Sequence, residues 1–325
     1  MANSSPPKVT EPKRHAPWVE FLIRMVKEKP MGTIGAMITL LLLFTGIFAN
    51  YLAPHGMNEL LNVYLSPPST NFWMGTDNVG RDILSRIIYG ARISVIVGLS
   101  GALIGTVGSA VIGILCGYIG GTFDLLVQRF VDAVMCLPGL IVLMVIISLV
   151  GTGMVQVILV LGIQGGIVGS RMVRSVVISV KEEMYILSAE TSGCSIYRIV
   201  ARHILPNVMA PIIVGFSLAV PGMILAEASL SFLGYGIPPP APSWGGMLSG
   251  SSRTYMFMDP WLAIWPGLAL SVVVYGVNMF GDALRDIMDP RLRGSVGHYQ
   301  RRVIKTAVKS EHSTPDRHTS TRGGE

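Results

Sequence analysis

Charged residues are scarce in this chain. Only 14% of its 325 residues are Asp, Glu, Lys or Arg, whereas 50% are hydrophobic and the mean hydropathy is +0.56. A soluble domain carries about 25% charged residues, so this shortage excludes an ordinary soluble protein. The hydrophobic residues collect in long runs, and about 20 apolar residues are enough to cross a bilayer. The composition therefore predicts a polytopic membrane protein.

Cysteine and catalytic motifs are equally sparse. The three cysteines form no C-x-x-C pair, so we expect no disulfide framework. The six histidines show no metal-ligand spacing with Cys or carboxylate residues. The chain also lacks the G-x-x-x-x-G-K-[ST] motif that cradles ATP phosphates and the G-x-S-x-G motif of serine hydrolases. We therefore expect no catalytic residue, no metal site and no cofactor bound by this chain itself.

The formal net charge of +6 does not indicate nucleic-acid binding. The basic residues flank the apolar runs, where the orientation of a membrane protein explains them. Lys27 and Lys29 precede the first run, which places the N-terminus in the cytoplasm. Arg198 and Arg202 lie in a later loop, which the same rule also places in the cytoplasm.

Six apolar runs predict an all-α fold with six transmembrane helices and both termini in the cytoplasm. The runs cover approximately residues 31–53, 93–118, 131–150, 154–171, 207–233 and 261–280. They divide the chain into a cytoplasmic segment 1–30, a first helix 31–53, an external loop 54–90, a core of five helices 91–284 that contains a cytoplasmic loop 172–206, and a cytoplasmic tail 285–325 that is expected to be disordered after about residue 294.

Glycine and proline positions predict details of these helices. Gly101 with Gly105, and Gly113 with Gly117, form small-xxx-small pairs that let helix backbones approach closely. Pro138 is expected to kink the third helix, provided that neighbouring groups pair with the freed carbonyl.

A polar segment, 184–206, separates the fourth and fifth apolar runs. Gly193 is expected to end a short helix in the left-handed conformation, and Ser195 is expected to begin the next helix. A short helix outside the membrane suits docking to another protein. We expect that contact to involve Met184, Tyr185, Ile186, Leu187, Ser188, Ala189 and Gly193.

Two further features allow alternative interpretations. The external motif W-M-G-T-D-N-V-G-R-D contains Asp77, Arg81 and Asp82. It is either a solvated turn before an amphipathic helix or a contact with a partner subunit or receptor. Glu227 lies inside the fifth run, where a carboxylate costs about 2.5–3.5 kcal/mol. It either lines or gates a pathway, or forms a helix–helix hydrogen bond or lies near the outer interface.

Four segments together resemble a known family. They are the Gly75–Arg92 region, the Gly193–Pro206 loop, the E-A-S-L-S-F-L-G segment that begins at Glu227, and the D-P-R segment that begins at Asp289. The chain resembles the shorter, C-type permease subunits of bacterial dipeptide and oligopeptide ABC importers over about residues 18–293.

The resemblance implies a type I ABC importer transmembrane domain in the bacterial inner membrane. Its implied partners are a second permease subunit, two ATPase subunits or one fused ATPase, an extracytoplasmic substrate-binding protein and membrane lipids, with no nucleic acid. ATP and Mg²⁺ would be bound by the ATPase subunits, so this chain itself would not be an enzyme. The residues from Met184 to Ala189, with Gly193, would form the coupling helix that the ATPase contacts.

The coupling loop departs from the family pattern, which reads E-A-A, three residues, Gly, nine residues, I-x-L-P. Gly193 and Leu205-Pro206 match, but the first three positions read Leu187-Ser188-Ala189 and the Ile position reads His203. Glu183 or Glu190 is the candidate replacement for the absent glutamate.

Other functions stay open at this point. Importers of nickel, glutathione and antimicrobial peptides use close relatives of this permease type. An autonomous secondary carrier would be favoured by inverted repeats and several intramembrane charges, neither of which is evident. A membrane scaffold would not need a glycine-capped cytoplasmic helix.

Overall fold

The computed structural model describes residues 17–288, which form helices and connecting loops. The predicted all-α fold is confirmed. The predicted disorder after residue 294 and the first part of the N-terminal segment lie outside the described residues. The helices are α1 (Pro17–Glu28), α2 (Pro30–Ile47), α3 (Ala49–Leu52), α4 (Ile83–Ile119), α5 (Gly121–Cys136), α6 (Gly139–Val150), α7 (Met154–Lys181), α8 (Met184–Thr191), α9 (Ile196–Ile199), α10 (Leu205–Phe232), α11 (Trp244–Met247), α12 (Ser251–Tyr255) and α13 (Trp261–Met288).

Five helical segments in the described part of the chain are long and apolar enough to cross a membrane. They are α2, α4, α7, the continuous segment Ile196–Phe232 and α13. The pair α5 and α6 passes the same test only as a unit, because its two helices are bent by 95°. The number of crossings is therefore six if this bent pair leads from one end of the bundle to the other, and five if it returns to the same end.

The bend replaces the straight third helix that was predicted for residues 131–150. Pro138 has no amide hydrogen, and it excludes the helical conformation at the preceding residue. Leu137 is accordingly extended, with φ −93° and ψ 140°, and α6 begins only at Gly139. The proline breaks the helix instead of kinking it.

The helices α4 and α7 lie side by side and run in the same direction. A Cβ atom placed on Gly105 would lie 3.3 Å from the Gly162 carbonyl oxygen, and one placed on Gly117 would lie 2.8 Å from the Val177 Cβ. Contacts thus advance along both helices together. The close approach also confirms that the glycine pairs in α4 pack against a neighbouring helix.

Parallel packing decides where the bent pair must go. The end of α4 and the start of α7 lie at opposite ends of the bundle, so residues 120–153 must return the chain across it. In agreement, Leu143 and Ile147 of α6 pack in one cluster with Val97 of α4 and Val157 of α7. The chain therefore crosses six times, and Pro30 and Met288 lie at the same end of the bundle.

Several helices extend beyond the predicted apolar runs. Helix α4 begins at Ile83 instead of residue 93, so the polar region 54–90 is partly helical. Helix α7 continues to Lys181 instead of residue 171, so the first part of the predicted loop 172–206 is helical. Hydropathy marks only the part of a helix inside lipid, whereas capping groups set its true ends.

Candidate functional site

The short helix α8 ends as the sequence predicts. Gly193 has φ +75°, a left-handed conformation that glycine adopts without steric cost. Its amide donates to the Glu190 carbonyl (3.0 Å), and the Cys194 amide donates to the Ala189 carbonyl (3.1 Å). Ser195 precedes α9 in an extended conformation, but its side chain makes no capping hydrogen bond. The glycine therefore fixes the angle between α8 and α9.

Helix α8 has an exposed face and an anchored face. Met184 is 77% exposed and Leu187 is 46% exposed, and both Tyr185 and Ser188 are also exposed. Ile186 is completely buried, in a cluster with Ile114 and Val173 among others, whereas Ala189 is partly buried against it. Ile186, one of the residues predicted to contact a partner, is therefore an anchor whose side chain a partner protein cannot contact.

Polar contacts at Tyr118 connect the end of α4 with α8 and with the end of α7. The Tyr118 hydroxyl donates to the Glu190 carboxylate at 3.2 Å. The Lys181 ammonium donates to the Tyr118 carbonyl at 2.7 Å and lies 5.2 Å from the centre of the Tyr118 ring. Glu190, one candidate replacement for the family's glutamate, is thus held by a partner within the chain. Glu183, the other candidate, precedes the first turn of α8 and is exposed.

A second link connects α8 with the start of α10. The Asn207 side-chain amide donates to the Tyr185 hydroxyl at 3.1 Å and to the His203 carbonyl at 2.6 Å. Residues Val200–Ile204 form a π-helical turn in which the Leu205 amide donates to the Val200 carbonyl. A displacement of α8 would therefore be passed to α4 and to α10 directly.

At the opposite end of the bundle, Asp77 organises the external motif. One carboxylate oxygen accepts from the amides of Val79 and Arg81, both at 2.9 Å. The other oxygen accepts from the Arg81 Nε at 2.7 Å. The carboxylate is buried, and these bonds hold the turn that precedes α4.

Asp82 has an equally local role. Its carboxylate accepts from the Ser85 amide (2.9 Å) and the Ser85 hydroxyl (2.6 Å), which caps the start of α4. Since Asp77 and Asp82 are both buried and bonded within the chain, the geometry favours the structural interpretation of this motif. Only Arg81, of the three predicted contact residues, is partly accessible.

Glu227 lies buried near the end of α10 and bonds to a serine of the same helix. It is 1% exposed, and its carboxylate accepts from the Ser231 hydroxyl at 2.6 Å. The Ser231 oxygen in turn accepts from the Ile237 amide at 3.2 Å. Glu227 thus bonds to a residue of its own helix, and Ser231 links that helix to the loop 234–247.

The loop 234–247 folds back into the bundle. The Trp244 indole is 2% exposed and donates to the Ile87 carbonyl of α4 at 3.1 Å. Gly245 lies directly against the Ala228 carbonyl of α10, where no side chain would fit. The loop at the end of the bundle opposite α8 is thus held by both α4 and α10.

The sequence analysis missed a charged cluster between α5 and α7. The Arg174 guanidinium makes a bidentate ion pair with Asp124, with both contacts at 2.5 Å. Arg171 pairs with Asp132, which also lies 3.6 Å from Arg129. The eight-residue spacing of Asp124 and Asp132 was a signal, because residues at that spacing share one helix face. These pairs fix α5 against α7.

Within residues 17–288, no group of three or more His, Cys, Asp or Glu side chains is placed to hold a metal ion.

Residues 109–294 match the family described as the inner membrane component of binding-protein-dependent transport systems. The chain belongs to this family. It is therefore an inner-membrane, multi-pass permease subunit of an ABC importer, with the type I transmembrane fold, and the resemblance noted in the sequence is confirmed. Membership implies partners of two kinds, an ATPase and a substrate-binding protein.

Individual relatives cover almost the whole permease. The dipeptide transport system permease protein DppC of Alkalihalophilus pseudofirmus is 37% identical over 295 residues, which are 89% of this chain and 95% of the relative. DppC of Bacillus subtilis is 36% identical over 83% of this chain and 85% of its own length. The glutathione transport system permease protein GsiD of Pectobacterium atrosepticum is 35% identical over 88% of this chain and 95% of its own length.

Proposed function

We propose that this permease subunit moves dipeptides or oligopeptides across the bacterial inner membrane into the cytoplasm. It would act as a heterodimer with a second six-helix permease, supplied with substrate by an extracytoplasmic binding protein. Support comes from the relatives, two of which are named as dipeptide permeases. Glutathione is a second candidate substrate, because a glutathione permease is nearly as similar and glutathione is itself a tripeptide.

The energy would come from two ATPase subunits, or one fused ATPase, that dock on α8. The observation that carries this proposal is the division of α8 into a buried anchor, Ile186, and exposed apolar side chains, Met184 and Leu187. Exposed apolar groups next to a rigidly held backbone are typical of protein–protein contacts. ATP and Mg²⁺ would be bound by the ATPase, and this chain would bind no cofactor.

The basic residues near α8 support an orientation with α8 in the cytoplasm. Lys181, Arg198 and Arg202 lie around α8 and α9, at the same end of the bundle as Pro30 and Met288. Positive charge marks the cytoplasmic side of membrane proteins. We therefore place α8 and both termini in the cytoplasm, and the 54–90 region and the 234–260 loop outside.

The coupling step would use the links of α8 to the bundle. When the ATPase subunits close on ATP, they would shift α8 as a rigid body, since Gly193 and Ile186 hold its shape and seat. Tyr118 and Asn207 would pass the shift to α4 and α10. These two helices also hold the loop 234–247, so the same motion would reach the external end.

A matched pair of aspartate variants tests the docking site. Met184→Asp places a charge on the exposed face of α8, whereas Met258→Asp places one at an equally exposed methionine (77% and 82% exposed) at the other end of the bundle. We expect Met184→Asp to reduce co-purification of the ATPase subunits about tenfold, as when a contact of about 1.4 kcal/mol is lost. Met258→Asp should leave it unchanged. Equal recovery of the ATPase with both variants would contradict docking on α8.

Competition distinguishes the two substrates. In proteoliposomes that contain the complete importer and its binding protein, we expect dialanine to be taken up and unlabelled dialanine to compete better than glutathione. The reverse order would favour the glutathione alternative.

A further inference from the structure

A cavity of about 250 Å³ lies at the external end of the bundle. It is enclosed by the turn before α4, the loop after α10 and the first turn of α13. Its walls are mostly uncharged, with residues such as Ser249, Ile237 and Leu262, but Arg81 and Arg86 also line it. The cavity is thus a mostly uncharged chamber of mixed polar and apolar walls, with two guanidinium groups and the Asp77 carboxylate.

Arg86 is the unusual member of this wall. It is only 7% exposed, yet its guanidinium makes one long hydrogen bond, 3.5 Å, to the Met57 carbonyl. Its Nε lies 3.8 Å from the Asp77 carboxylate, beyond hydrogen-bonding distance. A guanidinium has five N–H donors, and buried donors are normally paired. Within the described residues, Arg86 therefore keeps donors that no protein group uses.

The nearby carboxylates of the described residues make no hydrogen bond to this arginine, and its ion pair with Asp77 is shared with Arg81. Asp77 is already occupied by Arg81 and by two backbone amides. Asp82 accepts from Ser85, with His55 at 3.7 Å, and Glu227 accepts from Ser231. The cavity wall has two arginines and one aspartate, so its charge is positive.

This combination suits a carboxylate. The planar guanidinium fork matches the two oxygens of a carboxylate, and the bond is stronger where water is excluded. The cavity is smaller than the roughly 300–1,000 Å³ of pockets that enclose a drug-sized ligand. It therefore accommodates the end of a peptide but not an extended oligopeptide.

We propose that Arg86, with Arg81 beside it, binds the carboxylate of the transported peptide as it passes from the binding protein to the membrane pathway. The inference rests on the proposed peptide substrate. Dipeptides and glutathione share a terminal carboxylate, so the site would serve either. Arg86 would hold the carboxylate, and the apolar parts of the wall would receive the last side chain without selecting a sequence.

An aspartate built into the wall tests this site. Ser249 lines the cavity and is half-buried, and its hydroxyl donates to the Gly246 carbonyl at 2.9 Å. Ser249→Asp would supply a carboxylate that occupies Arg86 and repels the peptide. Ser249→Asn has nearly the same shape without the charge and is the matched control. Arg86→Lys, which keeps the charge but loses the fork, is the second variant.

The readout is dialanine uptake by the reconstituted importer as the concentration of dialanine-loaded binding protein is varied. We expect Ser249→Asp to lower the maximal rate about tenfold relative to Ser249→Asn, as when a charge-assisted hydrogen bond is lost, with Arg86→Lys in between. The half-saturating concentration of binding protein should not change. Co-purification of the ATPase subunits reports on folding of each variant.

Three results would overturn the inference. Equal maximal rates for Ser249→Asp and Ser249→Asn would contradict the carboxylate site without contradicting peptide transport. A raised half-saturating concentration with an unchanged maximal rate would assign Arg86 to docking of an acidic side chain of the binding protein. A wild-type importer that takes up no dialanine would contradict the proposed substrate first, and this inference with it.

Discussion

The Tyr118 hydroxyl at the end of α4 donates a hydrogen bond of 3.2 Å to the Glu190 carboxylate of α8. The two residues lie 72 positions apart in the sequence. The bond joins the helix proposed to receive the ATPase to a helix, α4, that reaches the opposite end of the bundle. Removing this bond therefore tests whether motion of α8 is passed to α4.

Tyr118→Phe removes this bond and little else. We expect a loss of about 0.5–1.5 kcal/mol in local stability, and fewer peptides transported per ATP hydrolysed, because α8 is held less firmly. The ATPase should still bind, since the exposed face of α8 is intact. Tyr197→Phe is the control, because Tyr197 is 82% exposed and no hydrogen bond of its hydroxyl is present in the described residues. An unchanged ratio of transport to hydrolysis in Tyr118→Phe would show that the link carries no coupling.

The packing of α4 on α7 predicts a steric effect. A Cβ atom on Gly113 would lie 2.6 Å from the Val173 Cβ and 2.8 Å from the Ser170 carbonyl, so Gly113→Ala must push the helices apart. We expect a destabilisation of about 1–3 kcal/mol, measured as a lower melting temperature in detergent. Gly222→Ala should be neutral or stabilising by up to about 1 kcal/mol, because no atom lies within 4 Å of the added group. Equal melting temperatures for the two variants would contradict the close contact.

The sequence predicted the number of crossings but not the path of the third. Hydropathy and flanking charge identify each apolar run, and those signals are local. The direction of residues 120–153 emerges only from the parallel contact of Gly105 and Gly117 with α7. The break at Pro138 was recognisable as a proline effect, although its 95° angle depends on what α6 packs against.

The site residues also divide into features that depend on local sequence and features that depend on distant contacts. The left-handed conformation of Gly193 was predictable, because the requirement is local. The burial of Ile186 and the occupation of Glu190 by Tyr118 depend on residues more than 60 positions away in α4. Asp77 and Asp82 looked available in a polar loop, and only the folded turn shows that backbone amides and Ser85 use them.

The two interpretations of Glu227 make opposite predictions. If it only holds the Ser231 side chain of its own helix, Glu227→Gln retains an oxygen acceptor for the Ser231 hydroxyl, and uptake should stay within about twofold of wild type. Glu227→Ala should destabilise the protein by about 1–3 kcal/mol, because the buried Ser231 hydroxyl loses its acceptor. Loss of transport in a well-folded Glu227→Gln variant would instead support a pathway or gate role.

Single cysteines at the two ends of the bent pair test the six crossings. Thr122 and Thr152 are both exposed and lie at the start of α5 and just after α6. In a background without Cys116, Cys136 and Cys194, we expect a membrane-impermeant maleimide to label Thr152→Cys in intact cells. Thr122→Cys should react only after permeabilisation. Labelling of both positions from one side would mean that residues 121–150 enter and leave the membrane at the same face.

Uptake by proteoliposomes is the most direct test of the central claim, that this chain is an ATP-driven peptide permease subunit. The vesicles would contain this chain, its partner permease and the ATPase, with dialanine-loaded binding protein outside and ATP inside. We predict uptake that requires ATP, the ATPase and the binding protein, and that is unaffected by a proton gradient. Uptake by this chain alone, driven by a proton gradient and indifferent to ATP, would contradict the account and indicate a secondary carrier.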